Sequence, residues 1–305
     1  MAAGLLGIEE LSRPEIEAIL ARAKDFQHTE NHAFHKLDLA RGKMIVNLFF
    51  EASTRTRTSF EIAAKRLGAE VLSITAAGSS VSKGESLVDT LNTLGAMRPH
   101  AIVMRHSASG APHFLSRHLP IPIVNAGDGA HEHPTQALLD ARTILDRRPT
   151  LEGLRVAIIG DVAHSRVARS NIHLLSKFGA QIVLCGPAPL LPRELASIAP
   201  GVSLTNDIRE AIRDADVIMM LRVQLERQHE TAFPPGDYFR FYGLRLEHLN
   251  LAKPDALVMH PGPINRGREI SSEVADSQRS VILNQVENGI AVRMAVLERV
   301  LGQGK

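Results

Sequence analysis

The sequence is poor in cysteine and aromatic residues and has no long apolar run. Its 305 residues include one cysteine, no tryptophan and 4% aromatic residues. The single cysteine, Cys185, excludes an internal disulfide framework and is typical of a reducing compartment. No run of about 18 apolar residues is present to span a membrane, and the first residues lack the basic segment and apolar core of a signal peptide. We therefore expect a cytoplasmic protein with no membrane contact.

The chain also lacks an excess of charge of either sign. It has 35 lysines and arginines against 33 acidic residues, which gives a formal net charge of +2. This balance predicts no basic surface for nucleic acid. Hydrophobic residues make up 44% and charged residues 22%, a composition typical of globular proteins, and the length allows two domains.

Glycine-rich nucleotide-binding loops are missing as well. The segment 78–90 holds Lys83 among glycines and serines but lacks the pattern G-x-x-x-x-G-K-[ST], so an exposed loop is the simpler interpretation. Gly160 follows a predicted strand, but Val162 and Ser165 stand where a dinucleotide fingerprint requires glycine. The sequence therefore predicts neither a P-loop nor a nicotinamide cofactor.

Short apolar runs alternate with amphipathic segments along the chain, which predicts βαβ units and mostly parallel sheets. The predicted strands are 44–50, 69–74, 100–105 and 121–127 in the first half, and 155–160, 180–186, 216–222 and 256–260 in the second. We expect an α/β protein of two doubly wound parallel-sheet domains, residues 1–133 and 134–284, with a cleft between them. A periodic C-terminal helix, 285–305, is expected to pack back on the first domain.

A dense polar cluster follows the first predicted strand. Residues 53–59 read STRTRTS, five hydroxyl side chains and two arginines. If a helix begins there, its first N–H groups have no intrahelical partners and attract an anion, and the planar guanidinium of Arg55 matches phosphate geometry. The alternative is capping by a box formed by Thr58 and Glu61. That box accounts for one threonine and one glutamate, so the cluster favours an anion site.

Further polar residues lie at or after the ends of other predicted strands, where open parallel sheets bind ligands. They are Arg105, His133, Arg166, Arg222 and the turn 260–263. Structural alternatives stay open, namely a helix cap or core position for His133 and a solvated helix position for Arg166. His131 and His133 are two residues apart, but cysteine or carboxylate ligands at zinc-site spacing are missing, so we expect no metal.

The polar groups taken together indicate a reaction on anionic substrates. The carbonyls of Pro261 and Gly262 lie in a proline-rich turn outside any ladder, where they can accept hydrogen bonds from an amine. No Ser–His–Asp set and no carboxylate pair is recognisable. Fixed cations, hydroxyls and one histidine suit a reaction that holds anionic substrates and stabilises developing charge without a covalent enzyme intermediate.

Three motifs carry a family resemblance. STRTR at 53–57, HPTQ at 133–136 and HPGP at 260–263, in this order and spacing, resemble the aspartate/ornithine carbamoyltransferase family along essentially the whole chain. LRVQLER at 221–227 and VSKGE at 81–85 are similar to the aspartate members. The D-x-x-x-S-M-G and H-C-L-P segments typical of ornithine members are absent.

The resemblance implies an enzyme of pyrimidine biosynthesis that transfers the carbamoyl group of carbamoyl phosphate to L-aspartate. Domain 1–133 would bind carbamoyl phosphate and domain 134–284 aspartate, with no cofactor. The residues implied for carbamoyl phosphate are Ser53, Thr54, Arg55, Thr56, Arg105, His133, Gln136, Pro261 and Gly262, and those implied for aspartate are Lys83, Arg166, Arg222 and Gln224. Catalytic roles are implied for Arg55, Thr56, Arg105, His133 and Lys83.

The resemblance also implies partners. Ser79 and Lys83 would reach the site from a neighbouring subunit of a homotrimer, and some relatives assemble with regulatory or dihydroorotase-like chains. The family often has leucine in the position of Gly262, a mild departure because the role needs only a backbone carbonyl. Two alternatives stay open: a sister enzyme that uses ornithine, and a non-catalytic scaffold that retains the fold.

Overall fold

The structure is a computed structural model that describes residues 4–28, 36–75, 87–222 and 235–302. It divides into two compact units, Met1–Arg142 with Glu287–Lys305, and Thr143–Val286. The division lies inside a helix, Pro134–Leu145, whereas the sequence placed the domain boundary at the start of that helix. The first turns of this helix belong to the first unit, where Asp140 lies near a buried arginine of the C-terminal helix.

The first unit contains a parallel sheet with helices packed around it. Its strands are β1 Met44–Phe49, β2 Glu70–Thr75, β3 Ala101–His106 and β4 Ile123–Asp128, in the order β2-β1-β3-β4. Its helices are α1 Arg13–His28, α2 Thr54–Leu67, α3 Leu87–Ala96, α4 Ala111–Ser116 and the greater part of α5 Pro134–Leu145. Every residue of β1 after Met44 is buried, as expected for a central parallel strand covered on both faces.

The second unit repeats this architecture. Its strands are β5 Arg155–Ile159, β6 Gln181–Cys185, β7 Val202–Thr205, β8 Val217–Met220 and β9 Leu257–Met259, all parallel, in the order β7-β6-β5-β8-β9. Its helices are α6 Arg166–Lys177, α7 Ile208–Ile212, α8 Pro235–Tyr242, α9 Leu246–Leu249 and α10 Ser272–Ala275. The predicted α/β class with two doubly wound parallel sheets is thus confirmed. Strand β7 was not predicted.

The C-terminal helix, α11 Ile282–Gly302, belongs to the first unit from Glu287 onward, as predicted. Arg22 on α1 donates to both carboxylate oxygens of Glu298 on α11, at 2.7 and 2.8 Å. Arg299 on α11 donates to Glu15 on α1. Deeper in the unit, the buried Arg293 donates to Ser59 Oγ at 2.9 Å. These contacts attach α11 to α1 and α2. No helix in the described ranges is long and apolar enough to cross a membrane.

Helix α2 corrects the capping interpretation of the polar cluster. The helix begins at Thr54 with Ser53 as its N-cap, so Thr58 lies inside the helix and cannot cap it. Glu61 instead pairs with Arg57, with 3.7 Å between Nε and Oε1. The helix ends at Gly68, whose φ of 92° is left-handed and whose added Cβ would lie 2.3 Å from the Leu37 carbonyl oxygen. The cluster 53–56 therefore occupies the first turn of a helix.

Ile158, fully buried in the central strand β5, tests the core of the second unit. Ile158→Ala is expected to lower the free energy of unfolding by roughly 2–5 kcal/mol, because the neighbouring strands cannot close the cavity. Leu283→Ala is the control, since Leu283 is 83% exposed, and should change stability by less than about 0.5 kcal/mol. Urea denaturation followed by circular dichroism measures both. Equal losses would contradict the packing described.

Candidate active site

The polar cluster lies where the strand order of the first sheet reverses. From β1 the chain continues to β2 on one side, while β3 pairs with β1 on the other. The carboxyl ends of β1 and β3 therefore border a crevice of the kind that binds ligands in doubly wound sheets. Phe49 is opposite Arg105 in the register, and the N–H of Phe50 donates to the Arg105 carbonyl at 2.9 Å. The sheet thus brings Arg105 to the same edge as the start of α2.

The first turn of α2 is arranged to receive an anion. The Ser53 side chain does not cap the helix; its hydroxyl donates to Thr56 Oγ1 at 3.0 Å. No acidic residue stands in the first turn, although acidic residues are the usual stabilising choice there. Thr54 and Arg55 are exposed. The outward N–H groups, the hydroxyls and Arg55 are donors of the kind that a phosphate-like group requires.

Arg105 is a buried cation beside this turn. It is 8% exposed; its Nη1 donates to the Ala126 carbonyl at 3.1 Å and its Nη2 to Glu51 Oε1 at 2.6 Å. A charge-assisted hydrogen bond this short holds the guanidinium in place and offsets its charge. An anion bound to α2 would compete with Glu51 for Arg105. Glu51, which precedes the STRTR motif, was not singled out in the sequence.

His133 and Gln136 lie at the start of α5. His133 is buried and directly precedes the helix, its carbonyl accepts the N–H of Gln136 at 2.9 Å, and Pro134 occupies the first turn, where proline is favoured. The Gln136 amide nitrogen donates to Asp140 Oδ1, one turn later, at 2.9 Å. This hydrogen bond fixes the orientation of the amide, whose oxygen is the atom that can accept an N–H from a ligand.

Asp140, which binds this amide, lies near the positively charged Arg293. Asp140 is fully buried, and Arg293 is buried with its guanidinium over the Phe60 ring, 5.1 Å from the ring centroid. Burial lowers the pKa of Arg293 to about 10, while the nearby Asp140 charge acts in the opposite direction. Two opposite buried charges stabilise each other where either alone would be costly. Asp140 could have been found from its i,i+4 spacing to Gln136, but no local pattern indicates Arg293.

The second sheet has a comparable switch point, between β5 and β8. The N–H of Leu221, just after β8, donates to the Ile159 carbonyl at 2.7 Å. Gly160 has a φ of 139°, and a Cβ there would lie 2.9 Å from Leu221 Cβ. The chain thus needs glycine at Gly160 for the end of β5 to approach the residue before Arg222.

Arg166 and Arg222 flank this second switch point. Arg166 is the first residue of α6 and is 6% exposed; the helix is capped by Ser165, whose hydroxyl accepts the Ala168 N–H at 3.1 Å. A cation at a helix N-terminus is opposed by the helix dipole, so helix stability does not account for Arg166. Arg222, partly buried, lies two residues after the end of β8. Both positions suit the binding of carboxylates.

The turn after β9 is held by a buried histidine–glutamate pair. The Gly262 N–H donates to His260 Nδ1 at 2.8 Å, which leaves the ring proton on Nε2, 3.1 Å from Glu269 Oε1. Both side chains are fully buried. The same Glu269 oxygen accepts the Asn265 N–H at 2.6 Å. One ring and one carboxylate thus set the backbone of the turn, in which Pro261 and Gly262 are partly exposed.

Gly262 has a local reason to be glycine. Its φ is 67°, in the left-handed region where a residue with Cβ is strained. The departure from the leucine often found at this position is therefore compatible with the turn. Ser79, Lys83 and Gln224 lie outside the described residues. The site residues that the sequence did not indicate are Glu51, Asp140, Glu269 and Arg293.

Comparisons with known proteins identify the family. The family models for aspartate/ornithine carbamoyltransferase match along the chain, the carbamoyl-P binding domain at residues 4–146 and the Asp/Orn binding domain at residues 152–300. The chain is 82% identical over 302 residues to the aspartate carbamoyltransferase catalytic subunit of Solibacter usitatus, covering 99% of this chain and 100% of the relative. Its identity to the same subunit of Syntrophotalea carbinolica is 54%, covering 99% and 96%.

Solved structures of both branches share the fold. Ornithine carbamoyltransferase from Pyrococcus furiosus superposes with a TM-score of 0.90 at 31% identity, covering 100% of this chain and 98% of that one. Aspartate transcarbamoylase from Trypanosoma cruzi, in complex with carbamoyl aspartate and phosphate, superposes with a TM-score of 0.87 at 32% identity, covering 97% and 95%. The chain is therefore a member of the aspartate/ornithine carbamoyltransferase family.

Proposed function

We propose that this chain is the catalytic chain of an aspartate carbamoyltransferase. It transfers the carbamoyl group of carbamoyl phosphate to the amine of L-aspartate and releases N-carbamoyl-L-aspartate and phosphate, an early step of pyrimidine synthesis. The observation that carries this proposal is the 82% identity, over nearly the whole chain, to an aspartate carbamoyltransferase catalytic subunit. The fold alone is shared with ornithine enzymes and does not select the amino acid.

The phosphate of carbamoyl phosphate binds at the first turn of α2. Backbone N–H groups, the hydroxyls of Ser53, Thr54 and Thr56, and the Arg55 guanidinium supply donors without a competing carboxylate in the turn. Arg105 adds a buried positive charge at the neighbouring strand end and turns from Glu51 toward the ligand. The leaving group is thus held as an anion before it departs.

The carbamoyl group is oriented by donors on one side and acceptors on the other. Thr54, Arg105 and His133 face the carbonyl oxygen and stabilise the oxyanion of the tetrahedral intermediate. The amide oxygen of Gln136 accepts from the carbamoyl NH2, because its amide nitrogen is engaged by Asp140. The carbonyls of Pro261 and Gly262 accept the remaining N–H. Positioning and charge stabilisation supply most of the rate acceleration.

Aspartate is selected by its two carboxylates. Arg166 and Arg222 offer bidentate geometry for them, with Gln224 and Lys83 as further donors. A cationic ornithine side chain would be repelled by the same groups. The neutral amine of aspartate attacks the carbonyl carbon, the C–O bond to phosphate breaks, and phosphate takes up the amine proton.

We further propose a homotrimer in which Ser79 and Lys83 act in the neighbouring subunit's site. β2 is an edge strand of the described first sheet, and unlike β1 it has no buried residue. Leu72 on this strand is 46% exposed. Exposed faces are unusual for a parallel strand, and a long exposed edge is normally covered. Association with regulatory or dihydroorotase-like chains and the cytoplasmic location stay predictions.

A panel of amino acids tests the function. With carbamoyl phosphate, the purified chain should carbamoylate L-aspartate and leave L-ornithine unreacted, because two arginines cannot accommodate a second cation. Product is measured by colorimetric detection of the ureido group. Activity on ornithine alone would overturn the choice of branch. Tight binding of a phosphonate bisubstrate analogue without turnover of any amino acid would favour the non-catalytic scaffold.

Hybrid trimers test the sharing of sites between subunits. Arg55→Ala and Lys83→Ala chains should each lose at least about 100-fold in kcat, since each lacks one charged group of the site. Mixed and allowed to exchange subunits, they should regain about one quarter of wild-type activity, because some sites combine an intact Arg55 with an intact Lys83 from the neighbour. A mixture no more active than its separate components would exclude shared sites.

The His260–Gly262 hydrogen bond should control turnover. In His260→Asn the side-chain oxygen can replace Nδ1 as acceptor for the Gly262 N–H, whereas His260→Gln keeps only the donor to Glu269. We expect His260→Gln to lose about 100-fold in kcat with little change in the KM for aspartate, from misplacement of the turn carbonyls. His260→Asn should stay within about threefold of wild type on the same argument.

Thermal unfolding provides the control for these two variants. Each loses one buried hydrogen bond of the pair, so their melting temperatures should fall by similar amounts. A purely structural role of His260 would make kcat follow the melting temperature. Equal activities of the two variants would contradict the positioning role.

A further inference from the structure

A second group of polar side chains gathers in the first unit, close to His133 in the sequence but separate from the anion site. His113 on α4, Asp128 at the end of β4 and His131 in the turn before α5 each place one ligand atom within 4.8 Å of the other two. We propose that this His113–Asp128–His131 cluster binds one divalent transition-metal ion of the zinc class. The proposal does not depend on the proposed function.

The donor set determines the class of ion. Two imidazoles and one carboxylate suit Zn²⁺, Co²⁺ or Ni²⁺, whereas Mg²⁺ and Ca²⁺ prefer oxygen ligands alone. Three protein ligands would leave a coordination position for water. The ligands come from three separate elements of one unit, so binding needs only small side-chain adjustments within that unit.

Asp128 is held in place by hydrogen bonds. It is fully buried, and its carboxylate accepts hydrogen bonds from Gly110 N at 2.6 Å, Asn125 Nδ2 at 2.8 Å and Glu132 N at 3.1 Å. A carboxylate that its surroundings orient in this way is a favourable ligand for a cation.

One ring nitrogen of His113 is buried without a hydrogen bond from the described residues. Its Nε2 lies 3.0 Å from Glu10 Oε1. Its Nδ1 is buried and has no hydrogen-bond partner among the described residues. Histidines that ligate metals characteristically donate their other ring N–H to a carboxylate. Glu10 thus selects the tautomer with the proton on Nε2, which leaves the lone pair of Nδ1 available to a metal.

The alternative is a cluster that functions without metal. His131 Nδ1 lies 3.0 Å from Asp128 Oδ2, and the rings of His113 and His131 make an edge contact at 5.3 Å. These contacts account for His131 and Asp128, but they leave the buried nitrogen of His113 without a partner. The sequence predicted no metal because the fold, and not local spacing, brings His113 to His131.

Metal titration of the untagged, EDTA-treated full chain tests the proposal. Calorimetry with ZnCl2 and elemental analysis should show that the wild-type chain binds one Zn²⁺ ion. Substitution of the cluster residues should abolish or weaken this binding. Co²⁺ bound to the wild-type chain should give a ligand-field spectrum. His113→Ala and His131→Ala should each weaken Zn²⁺ binding at least 10-fold, and Glu10→Gln by about 10-fold. The matched control is His118→Ala, which removes an exposed histidine just beyond α4 whose Nδ1 lies 2.7 Å from the Phe114 carbonyl oxygen.

Two results would overturn the proposal. One is wild-type Zn²⁺ affinity in the His113→Ala and His131→Ala chains, which would place any bound ion elsewhere. The other is absence of Zn²⁺ binding by the wild-type chain, which would leave only the metal-free ion pair. Circular dichroism of each variant establishes that it is folded, and His113→Gln and His131→Gln replace any alanine variant that is not.

Discussion

The reversal of strand order in each parallel sheet is the constraint on which the other features depend. At such a reversal two adjacent strands send their following segments to opposite sides, and their carboxyl ends are left uncovered. In the first sheet this occurs between β1 and β3, and in the second between β5 and β8. Arg105 and Arg222 both lie where these strands end. The sheet topology therefore decides which parts of the chain can carry ligand-binding groups.

Charges at these edges need partners in the protein as well as in the ligand. Arg105 is nearly inaccessible to water, and Glu51 and the Ala126 carbonyl replace the lost solvation. Arg293 is more deeply buried and is stabilised by Asp140 and by the face of Phe60. Isolated buried charges would be costly. The first unit thus contains charged residues that support the candidate site without needing to contact a ligand. Glu51 orients Arg105, and Asp140 orients Gln136.

Much of the fold and part of the site could be predicted from the sequence. Apolar runs such as MIVNLF identify strands covered on both faces, and motifs such as STRTR stand directly after them. The alternative of a capping box at Thr58 and Glu61 was wrong, because Ser53 is the N-cap and Thr58 lies inside the helix. β7 was missed because its residues alternate between polar and apolar over only four positions, at a sheet edge.

The supporting residues could not be predicted for a different reason. Arg293 reaches α2 from the C-terminal helix, and Glu269 acts through His260, so neither belongs to a local pattern. Glu269 illustrates why such residues matter. Its one oxygen receives the His260 ring and the Asn265 N–H, and the ring in turn receives the Gly262 N–H. Because the proton must then be on Nε2, the tautomer of the buried His260 determines the shape of a partly exposed turn.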